Sequence, residues 1–382
     1  MENFILTDEQ KDLVAFAKDF AEKVLAPVVE ECDRKGEFPM DVYRQFHEAG
    51  FSTMFIPEQY GGVGAGALDL VLINEEFAKV DAGFIVSATT AEFGVTPLRI
   101  AGTEEQIAYY MDRVMQGQLG SFCLTEADAG SDAAATRTTA RRDGDDYIIN
   151  GTKCFITSGG LADMYTVFAT VDKAAGAKGI TCFLVEKERP GVSVGKDEDK
   201  MGLRLSNTTE VIFDEVRIPA KNRIGEEGQG FKIAMQSLDR SRGVNSYACL
   251  GIAERAIAEA VKYAKTRATF GRPIIKNQGL QFLLADMEIQ VEAARALLYQ
   301  CADMIDKTGR YDSELGSITK TFVSDTCMKV TTDAVQVLGG YGYMKDYPVE
   351  KLMRDAKIFQ IFEGTNQIQR MVIAKCMQDR YK

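Results

Sequence analysis

The run Leu352-Met-Arg-Asp-Ala-Lys-Ile-Phe-Gln-Ile-Phe-Glu-Gly-Thr-Asn-Gln-Ile-Gln-Arg370 decides how this chain is read. Apolar residues recur at helical spacing up to Phe362. Glu363 then stands alone, followed by Gly364 and Thr365. Thr365 is placed to cap a new helix whose apolar stripe is Ile368, Met371, Val372 and Ala374. One carboxylate therefore sits on a glycine-hinged break just ahead of a helix N-terminus, with apolar residues on both sides. A carboxylate so placed can lose water, and its proton affinity can rise toward the working range of a general base. The same spacing also suits a solvated loop acid that compensates a helix dipole.

Composition bounds the alternatives. The chain has 382 residues, which sets an expectation of two or three packed units. A hydrophobic share of 46% against 26% charged is that of a soluble globular protein, and a net charge of -11 argues against nucleic acid. No apolar run is long enough for a bilayer span. Met1-Glu-Asn-Phe lacks the basic start and apolar core of a signal peptide, so the expected location is cytoplasmic. The cysteines (Cys32, Cys123, Cys154, Cys182, Cys249, Cys301, Cys327, Cys376) are scattered without a C-x-x-C pair, which reads as reduced thiols. The single histidine, His47, excludes a multi-histidine metal site, and its place in an amphipathic helix reads as structural. Chemistry is left to carboxylates, hydroxyls, backbone groups or a cofactor.

Taken in order, the first third is helical. Thr7-Asp-Glu-Gln10 and Thr103-Glu-Glu-Gln106 are capping boxes. Helices are expected from Thr7 until Pro27 kinks or ends the run, over about 39–50, over 68–80, and from Thr103 toward Met115. The glycine-rich Ile56–Gly66 loop does not satisfy G-x-G-x-x-G and follows no strand of a βαβ unit, so it is no dinucleotide fingerprint. From about residue 120 short alternating runs appear: Tyr147-Ile-Ile, Lys153-Cys-Phe-Ile, Met164-Tyr-Thr-Val-Phe, Thr181-Cys-Phe-Leu-Val and Glu210-Val-Ile-Phe. Asn150-Gly151 reads as a hairpin turn between the first two. Beyond Gly228-Gln-Gly230, long amphipathic stretches are expected over 231–267, 278–306 and 314–338, with a fourth helix from Ile361 onward. The expected fold class is α+β. It comprises an N-terminal α-helical domain (1–119), a middle antiparallel β-barrel or sandwich (120–229), and a C-terminal four-helix bundle (230–382).

Arg354-Asp-Ala-Lys357 followed by Ile361-Phe-Glu-Gly-Thr365 resembles the C-terminal signature of the acyl-CoA dehydrogenases. Phe122-Cys-Leu-Thr-Glu-Ala-Asp-Ala-Gly-Ser-Asp132 is similar to that family's T-E-x-x-A-G-S-D motif. Lys153-Cys-Phe-Ile-Thr157, Leu238-Asp-Arg-Ser-Arg242 and Arg267-Ala-Thr-Phe-Gly271 match further family motifs, so the resemblance runs from Thr7 to Arg370. Each segment alone also reads as an ordinary turn or helix end; the matched set favours the family.

The resemblance implies FAD as cofactor. The backbone of Leu124, with Thr125, would address the flavin pyrimidine, beside Phe122. Ser131 would serve the pyrophosphate and the edge of the CoA site. Thr157 would face the flavin N5 region, with Phe155 where the family often has tryptophan; this chain has none, which leaves the usual shielding open. Arg267, Thr269, Phe270, Gln278, Gln336, Gly339 and Gly340 would take the ADP half, held mainly by a neighbouring subunit of a homotetramer. Thr365 and Gln367 match flavin-contacting positions. Asp239 and Arg242 fall near the CoA moiety. Phe362 and Gly364 flank the base, and Ser87, Thr89 or Thr90 lie on a segment lining the acyl end. Glu92, if it faces that pocket, would disfavour a carboxylated acyl chain.

Glu363 is implied as the base removing the α-proton of an acyl-CoA thioester. Some family members carry their base on the helix holding Leu238 to Arg242, where this chain has Ser241. The implied reaction gives a trans-2-enoyl-CoA, with hydride taken by flavin N5 and electrons passed to an electron-transferring flavoprotein. The alternatives are the reverse enoyl-CoA reduction, an acyl-CoA oxidase, and a non-catalytic flavoprotein scaffold subunit. The acyl group is not fixed; short or medium chains are preferred on overall similarity to butyryl-type members.

Overall fold

The computed structural model describes residues 6–381. The reading of Met1–Phe4 therefore lies outside the described residues. Among the described residues seven α-helices come first: α1 (Asp8–Phe20), α2 (Ala26–Lys35), α3 (Met40–Glu48), α4 (Ala67–Val80), α5 (Ala82–Ala88), α6 (Thr90–Ala101) and α7 (Glu104–Met115). Both capping boxes form: Thr7 Oγ1 accepts from Gln10 N at 3.1 Å, and Thr103 Oγ1 from Gln106 N at 3.2 Å. Pro27 lacks an N–H for the helical ladder, and the run up to it widens into a π-turn at Ala21–Leu25 before α2 begins. His47 Nδ1 lies 2.7 Å from Ser52 Oγ, a satisfied structural histidine.

The middle of the chain forms β1 (Gly120–Cys123), β2 (Thr139–Asp143), β3 (Asp146–Thr157), β4 (Met164–Thr170), β5 (Ile180–Glu186), β6 (Val192–Val194), β7 (Thr208–Pro219) and β8 (Arg223–Ile224). Their order is β6-β7-β3-β2-β4-β5-β8, with β1 joined to β4. The pairing is mostly antiparallel, but β1 runs parallel to β4, and β2 meets β4 in parallel at Thr139 and Thr170.

Asn150-Gly151 is not a hairpin turn. It lies inside β3, and the chain reverses between Asp143 and Asp146. Gly151 is needed for a close approach: a β-carbon there would sit 2.4 Å from Thr138 Oγ1. Asn150 meets the neighbouring strand, accepting from Glu215 N at 2.8 Å. The dipeptide thus serves a β-bulge, a use of glycine that turn statistics do not separate from a hairpin.

The last third holds α8 (Gly230–Ser241), α9 (Tyr247–Thr266), α10 (Gln278–Thr308), α11 (Ser313–Leu338), α12 (Val349–Ala356) and α13 (Asn366–Arg380). The continuous helix expected over 231–267 is broken by a 3-10 turn at Val244–Ser246. The α10 stripe is buried as its spacing predicts, including Leu284, Met287, Val291, Ala294, Leu298 and Cys301. The α13 stripe is not: Met371 is 67% exposed, and the buried residues of that helix are Asn366 and Gln369. Among the described residues no helix is long and apolar enough to cross a membrane.

Two buried ionic clusters lock the three parts together. Arg295 of α10 pairs with Glu75 of α4, and with Glu254 of α9 at 2.9 Å. Lys351 of α12 pairs with Asp81 at 2.6 Å and Asp355 at 2.5 Å. Asp355 also accepts from Leu203 N at 2.6 Å, and Arg354 reaches Asp33 at 2.9 Å and the Met201 carbonyl at 3.0 Å. The Arg354-Asp355 dipeptide is therefore a structural clamp. It ties the N-terminal helices and the β7 approach to the segment that delivers Glu363.

Candidate active site

Glu363 lies between a 3-10 turn (Lys357–Gln360) and α13, with φ +53, and Gly364 follows at φ +86. Thr365 caps α13 by accepting from Ile368 N at 3.2 Å. The turn is gripped by its carbonyls: Gln369 Nε2 donates to Glu363 O and Gly364 O, each at 3.0 Å. Lys320 Nζ of α11 donates to Gly364 O at 2.8 Å and to Asn366 Oδ1 at 2.7 Å. Arg242 is buried and supports Gln369, donating to its Oε1 at 3.2 Å while paired with Asp239 at 3.1 Å.

The carboxylate is gripped separately. Asn245 Nδ2 donates to Oε1 at 2.7 Å, and Ser241 Oγ to Oε2 at 3.1 Å. Burial pushes the Glu363 carboxyl above its usual range, against the hydrogen bonds of Asn245 and Ser241 and the charges of Lys320 and Arg242. Burial also pushes Lys320 down to about 8, with Glu363 pulling the other way. A carboxyl raised in this manner, on a fixed turn, has the electrostatics of a general base. Ser241 is in direct contact with Glu363.

Close by, Tyr247 OH lies 3.2 Å from Thr89 Oγ1, and its own ionisation is opposed by burial and then by Glu92 and Glu363. Glu92 is raised by burial, with Arg99 opposing. Ser87 and Thr90 are buried and engaged internally. Ser87 Oγ is 2.9 Å from Ser206 Oγ, and Thr90 Oγ1 donates to Ser87 O at 2.8 Å.

The β-domain residues gather where β1 and β3 meet. Phe122 stacks on Phe93 at 4.5 Å and packs on Phe168 at 4.9 Å. Thr125 O accepts from Cys154 N at 2.9 Å, joining the two motif segments. A register shift between Lys153 and Ile156 puts Phe155 at φ +57 and leaves its ring 65% exposed. Beneath it lies a pair that motif spacing did not single out. Buried Lys153 donates to Glu126 at 2.7 Å and to the Leu124 carbonyl at 3.1 Å. Burial pushes Glu126 up, but Lys153 and the Thr138 and Arg137 amides more than offset it, leaving the carboxyl below its usual range. Ser131 is exposed on the same loop.

A second cluster forms at the ends of α9 and α11. A groove of about 470 Å³ is lined by Arg267, Thr269, Gly339 and Gly340 together with Tyr263 and Tyr341. Arg267 lies over the Tyr341 ring at 5.6 Å. Phe270 is fully exposed, and Gln278 at the start of α10, Gln336 near the end of α11 and Gln367 at the start of α13 are exposed as well.

Residues 7–118, 121–216 and 228–378 match, in turn, the acyl-CoA dehydrogenase N-terminal, middle and C-terminal domains. An acyl-CoA dehydrogenase of Bacillus subtilis (strain 168) is 46% identical over 373 residues, 97% of this chain and 98% of its own. The short-chain-specific acyl-CoA dehydrogenase of Megasphaera elsdenii is 46% identical over 377 residues, again 97% and 98%. The solved butyryl-CoA dehydrogenase of Megasphaera elsdenii superposes with a TM-score of 0.95 at 45% identity, over 98% of this chain and 99% of its own. A chain from a study of the electron transferring flavoprotein of Acidaminococcus fermentans, concerned with flavin-based electron bifurcation, gives 0.94 at 48% identity, over 98% and 99%. The chain belongs to the acyl-CoA dehydrogenase family, an oxidoreductase family. A solved FAD-dependent dehydrogenase superposes with a TM-score of 0.90 at 30% identity, over 98% of this chain and 99% of its own, and the residues here fit FAD. An exposed aromatic ring and a half-buried threonine stand at the β1–β3 junction, and a cationic, glycine-floored groove suits a diphosphate.

Proposed function

We propose that the chain oxidises an acyl-CoA thioester to its trans-2-enoyl-CoA, with Glu363 removing the α-proton. The observation that carries this reading is the raised, doubly hydrogen-bonded Glu363 carboxyl on its clamped turn. When bound, FAD supplies the acceptor for the hydride that leaves the β-carbon.

The chain's own groups perform four tasks. Arg354 and Asp355 fix the approach to the turn, and Gln369 and Lys320 hold its carbonyls, so the carboxylate is placed before substrate arrives. The Glu363 amide would donate to the thioester carbonyl, making the α-proton more acidic. Closure of the site by the acyl chain would remove remaining water and raise the base further. Leu124, Thr125, Phe155 and Thr157 would hold the flavin end, with Phe122 beneath. Arg267, Thr269, Phe270, Gln278, Gln336, Gly339 and Gly340 would hold the ADP end, Thr365 and Gln367 would take their flavin contacts, and Ser131 would reach the pyrophosphate.

The acyl group is read as short or medium in length and uncharged. Tyr247 feels the charges of both Glu92 and Glu363, and a carboxylated tail beside an ionised Glu92 would be repelled. Ser87 and Thr90 would shape this end by fixing the α5–α6 junction. Asp239 and Arg242 would stand near the CoA end. A homotetramer and an electron-transferring flavoprotein partner complete the reading; the solved neighbour from the Acidaminococcus fermentans study supports the latter. The test is a panel of acyl-CoAs mixed anaerobically with the holoenzyme. Bleaching by butyryl-CoA but not by glutaryl-CoA supports the assignment, and bleaching by glutaryl-CoA alone contradicts it.

A further inference from the structure

The two groups directly on the Glu363 carboxylate differ in kind from the cations around it. Asn245 and Ser241 each carry both a donor and an acceptor, whereas Lys320 and Arg242 can only donate. Neither cation is bonded to the carboxylate. Lys320 is spent on Gly364 O and Asn366 Oδ1, and Arg242 on Gln369, Ser317 and Leu238 O. Asn245 belongs to the 3-10 turn that breaks the α8–α9 run, so the break itself delivers the amide to Oε1. Ser241 Oγ, the last residue of α8, lies between Glu363 Oε2 at 3.1 Å and the Leu238 carbonyl at 3.3 Å, two acceptors between which one hydroxyl proton can turn.

A base that cycles between anion and acid needs partners for both forms. Donor-only partners hold the anion but leave the acid's O–H facing another donor, a buried mismatch. We infer that Asn245 and Ser241 form a reversible cradle that donates to Glu363 as the anion and, by turning the amide and the hydroxyl, accepts from it as the acid. This rests on Glu363 being the base. Asn245 and Ser241 are positioning residues: they act through Glu363. The charged and titratable groups facing the carboxyl are Lys320 from α11, Arg242 from the end of α8 and Tyr247 from α9, and none of them changes in the variants below.

The experiment uses holoenzyme of wild type, N245L, N245S, S241A and E363Q. The Glu363 carboxyl band is titrated in the resting enzyme by infrared difference against E363Q, and flavin reduction by a saturating acyl-CoA is followed across pH. The bond donated to the anion is charge-assisted and the bond accepted from the acid is not, so the cradle favours the anion even while it serves both forms; losing it in N245L should move both midpoints upward by about one pH unit. It should also lower the plateau rate about tenfold with little change in KM, and N245S should restore most of both. S241A, which leaves the turn intact, should show the same direction and covers the case in which N245L does not fold. Unchanged midpoints in N245L and S241A overturn the cradle. Bleaching of E363Q by substrate overturns the base assignment instead, whatever the Asn245 variants do.

Discussion

Glu363 occupies a backbone conformation that side-chain-bearing residues seldom adopt, and Gly364 continues it at φ +86. A β-carbon on Gly364 would lie 2.7 Å from Gln369 Nε2, the atom that holds the turn. Gly364→Ala should therefore cost about 1–3 kcal/mol in thermal unfolding and slow flavin reduction without abolishing FAD binding. The carboxyl gives a pH signature of its own. Its folded-state value is raised above 4.5, so between 4.5 and that raised midpoint the native state holds more protons than the unfolded chain. Stability from this group is thus lost as pH rises through that window. Glu363→Gln should be more thermostable than wild type at neutral pH, with the gap closing as pH falls below the carboxylate range. Lys320 has the opposite slope: its value falls from 10.5 to about 8, so the native state binds fewer protons and stability increases between those limits. Lys320→Met should remove that increase in a pH series of melting curves. Spacing marks Glu363 as a lone carboxylate on a hinge but leaves a solvated loop acid open; the resemblance of Ile361–Thr365 to the family signature is what singles it out. Asn245 has no such mark, because a residue in an unmarked break carries no periodic signal.

Among the elements, β3 does the most to shape the cofactor face. Its bulge turns Phe155 outward, while the buried Lys153 beneath it fastens the Leu124–Glu126 loop. Lys153→Met would leave Glu126 buried without its cation, and should destabilise the protein by about 3–5 kcal/mol in denaturant unfolding. FAD release during gel filtration should accompany it. The helix caps and the α10 stripe were legible because local chemistry decides them: a threonine with glutamine three residues on, or leucines at one face. Asn150-Gly151 misleads for a physical reason, since a glycine needed by a neighbouring strand looks the same as one needed by a turn. The α8–α9 break has only Gly243 to announce it.

At the scale of the whole molecule, the chain leaves apolar surface that its own fold does not cover. Phe282 and Ile289 of α10, Phe322 of α11 and Met371 of α13 are exposed. The spacing on α13 marks an apolar face, and a pattern reports the chemistry of a face and not which chain meets it. In the proposed homotetramer other copies would cover this surface. Phe282→Asp combined with Ile289→Asp should shift the sedimentation coefficient toward a smaller species and reduce FAD content together. The Arg354-Asp355 clamp shows a further limit of motif reading: a conspicuous charged pair beside the base turns out to hold domains together.

The central claim is that one carboxylate starts the reaction, and Glu363→Gln tests it most directly. The variant should be isolated with yellow FAD bound, and its absorbance should stay unbleached when an acyl-CoA that reduces the wild-type flavin is added without oxygen. Bleaching of the variant at the wild-type rate would contradict the account.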